Sequence, residues 1–96
     1  MDAQMAEFYK IPKVMAEAQM GGELSHVESR IMLALVVRLS SGKSSERISL
    51  SEFENMTGAA RSRISKALTA LHERGWIQRS ELHKMVKYSF GSRIAR

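Results

Sequence analysis

A chain of 96 residues without cysteine suits one domain with a single core, and it excludes disulfides, thiol nucleophiles and thiolate metal sites. No apolar run approaches the roughly 20 residues that span a bilayer, so we expect a soluble intracellular protein that makes no membrane contact. The net charge of +5 is uneven, because residues 1–58 carry six Lys and Arg against eight Asp and Glu, whereas residues 59–96 carry nine against two. The C-terminal part is therefore expected to bind a polyanion.

The first predicted element is a helix over 12–20, which Pro12 can begin and the two glycines that follow can end. Ser25 and Glu28 match a capping box, in which each side chain accepts a hydrogen bond from a free N–H at a helix start. The second helix is predicted to run to about Leu39. Because it is apolar on nearly all sides, we expect it at the centre of the domain.

A serine-rich connector over 40–46 is predicted to be a mobile surface loop. Its Gly-Lys-Ser sequence is not a phosphate-binding loop, since that motif also needs a glycine at position 37, where valine stands. A short extended piece over 47–50 follows. Ser51 and Glu54 match a second capping box, which predicts a helix of about two turns that Gly58 ends.

A longer helix is predicted from about Ala60 to Gly75. Its apolar residues recur at helical spacing and are expected to be buried: Ile64, Ala67, Leu68 and Leu71. Its polar residues are expected to face outward: Ser62, Lys66, Thr69 and Glu73. The N-terminal end of this outward face is strongly cationic.

After Gly75 the apolar period changes to two, which predicts a hairpin over 76–90 with its tip at 80–84 and a frayed basic tail at 91–96. Trp76, Tyr88 and Phe90 are expected to close the core rather than to stack on bases. Five methionines are also expected to fill the core: Met15, Met20, Met32, Met56 and Met85.

The order of these elements is that of a winged helix-turn-helix, mainly α with a small β-hairpin. We interpret 1–96 as one domain, with an N-terminal helical extension at 1–24, a winged-helix core at 25–90 and a basic tail. Helix 60–74 would enter a major groove of double-stranded DNA, and the hairpin 76–90 would contact the backbone. The candidate DNA-binding residues are Arg61, Ser62, Arg63, Ser65, Lys66, Thr69, Arg79, Lys84 and Lys87.

A family resemblance covers about residues 8–79. It is carried by Tyr9-Lys10-Ile11-Pro12, Ile48-Ser49-Leu50-Ser51-Glu52-Phe53, Thr57-Gly58, Arg61, Ile64, Ser65, Ala67-Leu68, Leu71 and Glu73-Arg74-Gly75. These residues resemble the N-terminal domain of phage replication protein O. The resemblance implies a winged helix that binds repeated sequences in a phage replication origin, inside the bacterial host. Ala60 departs from the serine or threonine that usually caps the recognition helix in that family.

Several alternatives stay open at this point. The same groove reader would serve a phage or plasmid transcriptional repressor, and the helix over 25–39 could instead bind a protein, as in an adaptor or host-factor inhibitor. A homodimer is also open, as are contacts with replication proteins through regions absent from these residues. The three histidines lie on different predicted elements, and no catalytic serine motif occurs, so we expect no metal, no cofactor and no enzymatic activity.

Overall fold

The computed structural model describes residues 13–39, 43–83 and 85–94, in which four helices pack beside a small antiparallel sheet. The helices are α1 (13–20), α2 (His26–Arg38), α3 (Leu50–Thr57) and α4 (Arg61–Glu73), and the strands are β1 (Glu46–Arg47), β2 (Ile77–Leu82) and β3 (Met85–Phe90). The predicted class, mainly α with a β-hairpin, is confirmed, and the arrangement is compatible with a winged helix. None of the helices in the described ranges has the length and apolar character that a bilayer span requires.

The core forms where α2 packs against α3, α4 and β3. The apolar residues of α2 that are buried in this core are Ile31, Met32, Ala34 and Leu35. Phe53 and Tyr88 join α3 to the sheet through an edge-to-face ring contact, with their ring centroids 5.2 Å apart. Helix α2 packs against three other elements, but one of its faces is open, because Leu33 and Val37 are 51% and 65% exposed.

The start of α2 follows the predicted capping box, since Ser25 and Glu28 each accept a hydrogen bond from the other's backbone N–H. The start of α3 does not. The predicted pair, Ser51 and Glu54, lies inside the helix, and the capping box is formed by Ser49 and Glu52, two residues earlier.

The apolar residues around the two serines explain this choice. With Ser49 as the cap, the residue before it and the fourth helical residue are Ile48 and Phe53, both buried, which is the arrangement of a hydrophobic staple. With Ser51 as the cap, the fourth helical residue would be the polar Asn55. The extended piece is consequently displaced as well, because β1 covers Glu46–Arg47 and α3 already begins at Leu50.

The sheet has the strand order β1-β3-β2, with both neighbouring pairs antiparallel. The predicted hairpin is confirmed, but its tip is shorter than expected. Ser80 and Glu81 belong to β2, where they are paired with Lys87 and Val86. Backbone pairing therefore continues past the apolar alternation that marked the strand in the sequence. His83, which follows β2, has a φ of 53°, a value that tight two-residue hairpin turns require.

The first residues after β3 are not frayed, contrary to expectation. Gly91 donates a backbone hydrogen bond to Trp76 O at 2.8 Å, and Arg93 N donates to Gly75 O at 3.1 Å. The guanidinium of Arg93 lies 4.4 Å from the centroid of the Trp76 ring. The basic tail thus packs on the domain as far as residue 94, which is the last that the structure describes.

The methionine prediction is confirmed for Met15 and Met32, which are buried, and wrong for the other three. Met20 is 88% exposed, and Met56 and Met85 are also exposed. Met20 is at the end of α1, next to the glycines, where no described element covers it. On α3 the inward positions are taken by Phe53 and Thr57, which leaves Met56 outside.

Candidate nucleic-acid interface

Helix α4 divides into a buried and an exposed face as its sequence predicts. Its buried residues are the four apolar ones, Ile64, Ala67, Leu68 and Leu71. All of the candidate DNA-binding residues on this helix are exposed: Arg61, Ser62, Arg63, Ser65, Lys66 and Thr69. The Thr69 hydroxyl donates to Ser65 O at 3.1 Å. Among the described residues, none forms an ion pair or hydrogen bond with the side chain of Arg63 or Lys66.

The turn before α4 is held by a buried threonine to which sequence reasoning gave no structural role. The Thr57 hydroxyl donates to Phe53 O at 2.7 Å and accepts from Ala59 N at 3.2 Å. Arg30 of α2 donates to Thr57 O at 3.0 Å, which ties the turn to the core helix. Gly58 adopts a φ of +73°, a left-handed conformation that glycine takes without strain. The threonine directly before a helix-ending glycine was the available signal.

The first turn of α4 has backbone N–H groups without a side-chain cap. Ala60 is the N-cap residue and makes no side-chain hydrogen bond. A missing cap costs a helix about 1 kcal/mol, and a bound phosphate can take its place because free N–H groups and the helix dipole both favour an anion. The N–H groups that Ala60 leaves uncapped are therefore available to an anion.

Arg61 differs from the other cations of α4 because it is already paired. Its Nε donates to Glu54 Oε1 at 2.8 Å, and its Nη2 donates to Ser51 Oγ at 2.8 Å. Both partners are on α3, so this arginine joins the two helices on either side of the glycine turn. Sequence reasoning assigned Arg61 and Arg63 the same role. In the structure Arg61 is paired with α3, whereas no described residue pairs with the side chain of Arg63.

Ion pairs elsewhere neutralise two other arginines of the C-terminal part. Arg74 Nη2 lies 2.7 Å from Glu28 Oε2, and Arg93 Nη2 lies 3.0 Å from Glu23 Oε2. The excess charge of residues 59–96 is therefore partly neutralised by acidic residues of the N-terminal half. Among the described cations of this segment, those without a carboxylate partner lie on the exposed face of α4 and on the sheet.

Another ion-pair cluster centres on Arg38 at the end of α2. Its guanidinium is within 3.2 Å of Glu46 and 3.1 Å of Glu52, which joins α2 to β1 and to the start of α3. The hydrogen bond from Arg38 lowers the pKa of Glu46 below its ordinary value. The pKa of Glu52 is lowered first by the Ser49 backbone N–H and then by Arg38. This cluster therefore braces the start of α3 against α2 and β1.

The candidate residues of the hairpin lie on opposite faces of the sheet. Arg79 is in register with Tyr88, a core residue, whereas Lys87 is in register with Ser80 on the other face. Burial raises the pKa of the Tyr88 hydroxyl, and the neighbouring Arg79 guanidinium partly opposes that rise. Both cations are exposed, but one flat surface cannot contact them equally. Lys84 lies outside the described residues.

Arg47 is a cation that sequence reasoning left out of the interface. It lies in β1 and is the register partner of Lys87 in β3, with both side chains exposed. No local pattern marks Arg47, since only the pairing of β1 with β3 brings it beside the hairpin. Within the described ranges, no group of three or more His, Asp or Glu side chains is placed to hold a metal ion.

A family model described as bacteriophage replication protein O matches residues 1–91 of the chain. No match was found among the curated proteins or among the solved structures. The family match covers every element of the fold described above, including α4 and the hairpin.

Proposed function

The chain belongs to the bacteriophage replication protein O family, and we propose that in phage replication it binds double-stranded DNA sequence-specifically, at the origin. The observation that carries this proposal is the exposed beginning of α4, where Arg63 and Lys66 have no partner among the described residues. The proposed activity is binding without catalysis or cofactor, on phage DNA in the cytoplasm of the host.

The proposed reading residues are on the first two turns of α4. An exposed arginine can donate two hydrogen bonds to the O6 and N7 atoms of guanine, and Arg63 has the freedom to do so. Lys66, one turn away from Ser62, suits a phosphate or a guanine. Ser62, Ser65 and Thr69 are short, so they allow the helix backbone to approach base edges closely. A backbone phosphate at the uncapped N–H groups that follow Ala60 would fix the position of the helix on the duplex.

A protein-binding role is the second candidate, and the exposed apolar residues of α2 favour it. Leu33 is 51% exposed, and it lines a shallow surface depression together with Arg30 and Met56. Isolated apolar residues at the surface are ordinary in soluble proteins, whereas the concentration of cations on α4 is not. DNA binding is therefore the better supported proposal.

A salt titration separates the two candidates. Duplexes selected from a random pool would be titrated with the full chain at several salt concentrations. For about 4–6 phosphate contacts, the logarithm of affinity is expected to fall against the logarithm of salt with a slope near −4 to −5. Absence of DNA binding at low salt, or a flat response, would contradict the proposal and favour the adaptor.

The reading role of α4 is tested on the selected duplex with Arg63→Ala. This variant is expected to lose about 1–3 kcal/mol of binding free energy and to relax the base preference at one position. Lys13→Ala removes the same charge from α1 and serves as the control. Footprinting on phage DNA then separates origin repeats from promoters, and protection confined to promoters would instead indicate a repressor.

A further inference from the structure

The two faces of the sheet differ in charge. Residues directly opposite each other in paired strands point to the same face, and residues alternate along each strand. The face that carries Lys87, called the outer face here, holds these described side chains: Arg47, Gln78, Ser80, Met85, Lys87 and Ser89. None of them is a carboxylate. Glu46 and Glu81 are in register with Tyr88 and Val86, so both acids belong to the opposite face.

Arg47 of the edge strand β1 and Lys87 of the central strand β3 form a like-charge pair on the outer face. Directly opposed residues in antiparallel strands have Cβ atoms about 4.5–5.5 Å apart, and like charges at that separation destabilise the pairing. The Arg47 guanidinium contacts the sulfur of Met85, two residues before Lys87 on the same face, and no described carboxylate approaches either cation. An anion between the two cations would convert this repulsion into attraction.

We infer that Arg47 and Lys87 together bind one backbone phosphate of the duplex, which makes the outer face a second DNA contact surface in addition to α4. The inference rests on the proposed function and extends it to a residue outside the recognition helix and the hairpin. Ser80 lies on the other side of Lys87 in the same row and can donate its hydroxyl to the same phosphate. The described positions of this face include no aromatic ring, so it suits phosphate rather than stacked bases.

The chain passes directly from β1 into the helix-turn-helix. The strand runs antiparallel to β3, and therefore towards the hairpin tip, before the chain enters the cap of α3 at Ser49. Glu46, the neighbour of Arg47 in the strand, is turned to the other face, where Arg38 neutralises it. At these adjacent positions the cation, Arg47, is therefore on the outer face and the acid, Glu46, on the opposite face.

The test compares Arg47→Gln, Lys87→Gln and the double variant with the wild type, by salt titration on the selected duplex. Because one phosphate is shared, each single change is expected to reduce the slope by up to about 0.9, and the double change by about the same amount rather than twice as much. The order of preference among sequences should not change. Lys13→Gln, with the same loss of charge on α1, should leave the slope unaltered. Thermal unfolding of each variant checks the fold, and loss of repulsion should leave the unfolding temperature equal or slightly higher.

An unchanged slope in the double variant would overturn the inference, and a reduction of about two would show two separate phosphates, which also overturns it. Perturbation of the amide signals at 47 and 87 by inorganic phosphate alone, together with an unchanged slope, would assign the pair to free phosphate instead. If Arg63→Ala weakens binding while Arg47→Gln does not, only this inference fails. If the wild type binds no duplex, both this inference and the proposed function fail.

Discussion

The side chain of Arg61 donates from Nε to Oε1 of Glu54 at 2.8 Å, so the first residue of α4 is bound to the middle of α3. Arg61 is 58% exposed, and an exposed pair of this kind contributes at most about 1 kcal/mol to stability. The larger effect of this ion pair is electrostatic, because the Glu54 carboxylate lies at the start of α4, the helix proposed to enter DNA. Arg61 and Arg63, which are separated by a single residue, thus have different electrostatic surroundings.

Replacing Glu54 is therefore expected to strengthen DNA binding. Glu54→Gln removes a negative charge near the proposed DNA contact and loosens the hold on Arg61, so affinity should rise several-fold for all sequences alike. Titration of selected and unrelated duplexes at fixed salt measures this. Glu17→Gln, an equal change of charge on the exposed side of α1, is the control. An equal gain in both variants would indicate a general effect of net charge and contradict the local role.

The capping box of α3 is tested by two serine variants. Ser49→Ala removes the side chain that accepts the Glu52 N–H and should lower the free energy of unfolding by about 1 kcal/mol. Ser51→Ala removes only an exposed hydroxyl contact with Arg61 and should cost less than about 0.5 kcal/mol. Denaturant unfolding of both variants gives the comparison. A larger loss for Ser51→Ala would place the cap where the sequence pattern first suggested it.

The Arg38 cluster predicts a loss of stability in acid. The folded protein holds the pKa values of Glu46 and Glu52 below the ordinary value of 4.5, so their contribution is present above that value. It is lost as the pH falls through the lower folded pKa values, because the folded state then has to take up the protons. Unfolding measured from about pH 7 to about pH 3 should show this dependence in the wild type.

The matched variant for the acid prediction is Arg38→Gln. It removes the guanidinium that both carboxylates share and should flatten the acid dependence. Some dependence should remain, since Ser49 N–H continues to lower the pKa of Glu52. An equally steep loss of stability in the variant would show that other groups are responsible.

Gly91 is expected to tolerate no side chain. A Cβ at this position would lie 2.2 Å from Gly75 O and 2.7 Å from Gly75 C, which are backbone atoms that cannot turn aside. Gly91→Ala should therefore cost about 1–3 kcal/mol or release the turn at 91–94, as overpacking elsewhere does. Unfolding and the fluorescence of Trp76, the sole tryptophan, report both effects. At Gly21 the contacts that a Cβ would make with described residues are ordinary, with Glu17 O at 3.4 Å, so Gly21→Ala should change little.

The sequence alone determined the features that follow from local periodicity and from the rules of helix ends. The buried stripe of α4, its exposed polar face and the capping box at Ser25 are all as predicted. The hairpin was found from the change of period after Gly75, and the family from motifs spread along the chain. The helix and hairpin features depend on residues a few positions apart, whose spacing sets which side of an element they occupy.

Tertiary structure decided what depends on contacts between distant segments. Ser49 and Ser51 match the same capping pattern, and the choice followed from the burial of Ile48 and Phe53 in a core built by other elements. Arg61 and Arg63 are equivalent in sequence, and only α3 makes them different. Arg47 came to lie beside Lys87 because β1 pairs with β3 across about 40 positions of chain. Such pairings are set by the lowest free energy of the whole packed domain, so no short window of sequence contains them.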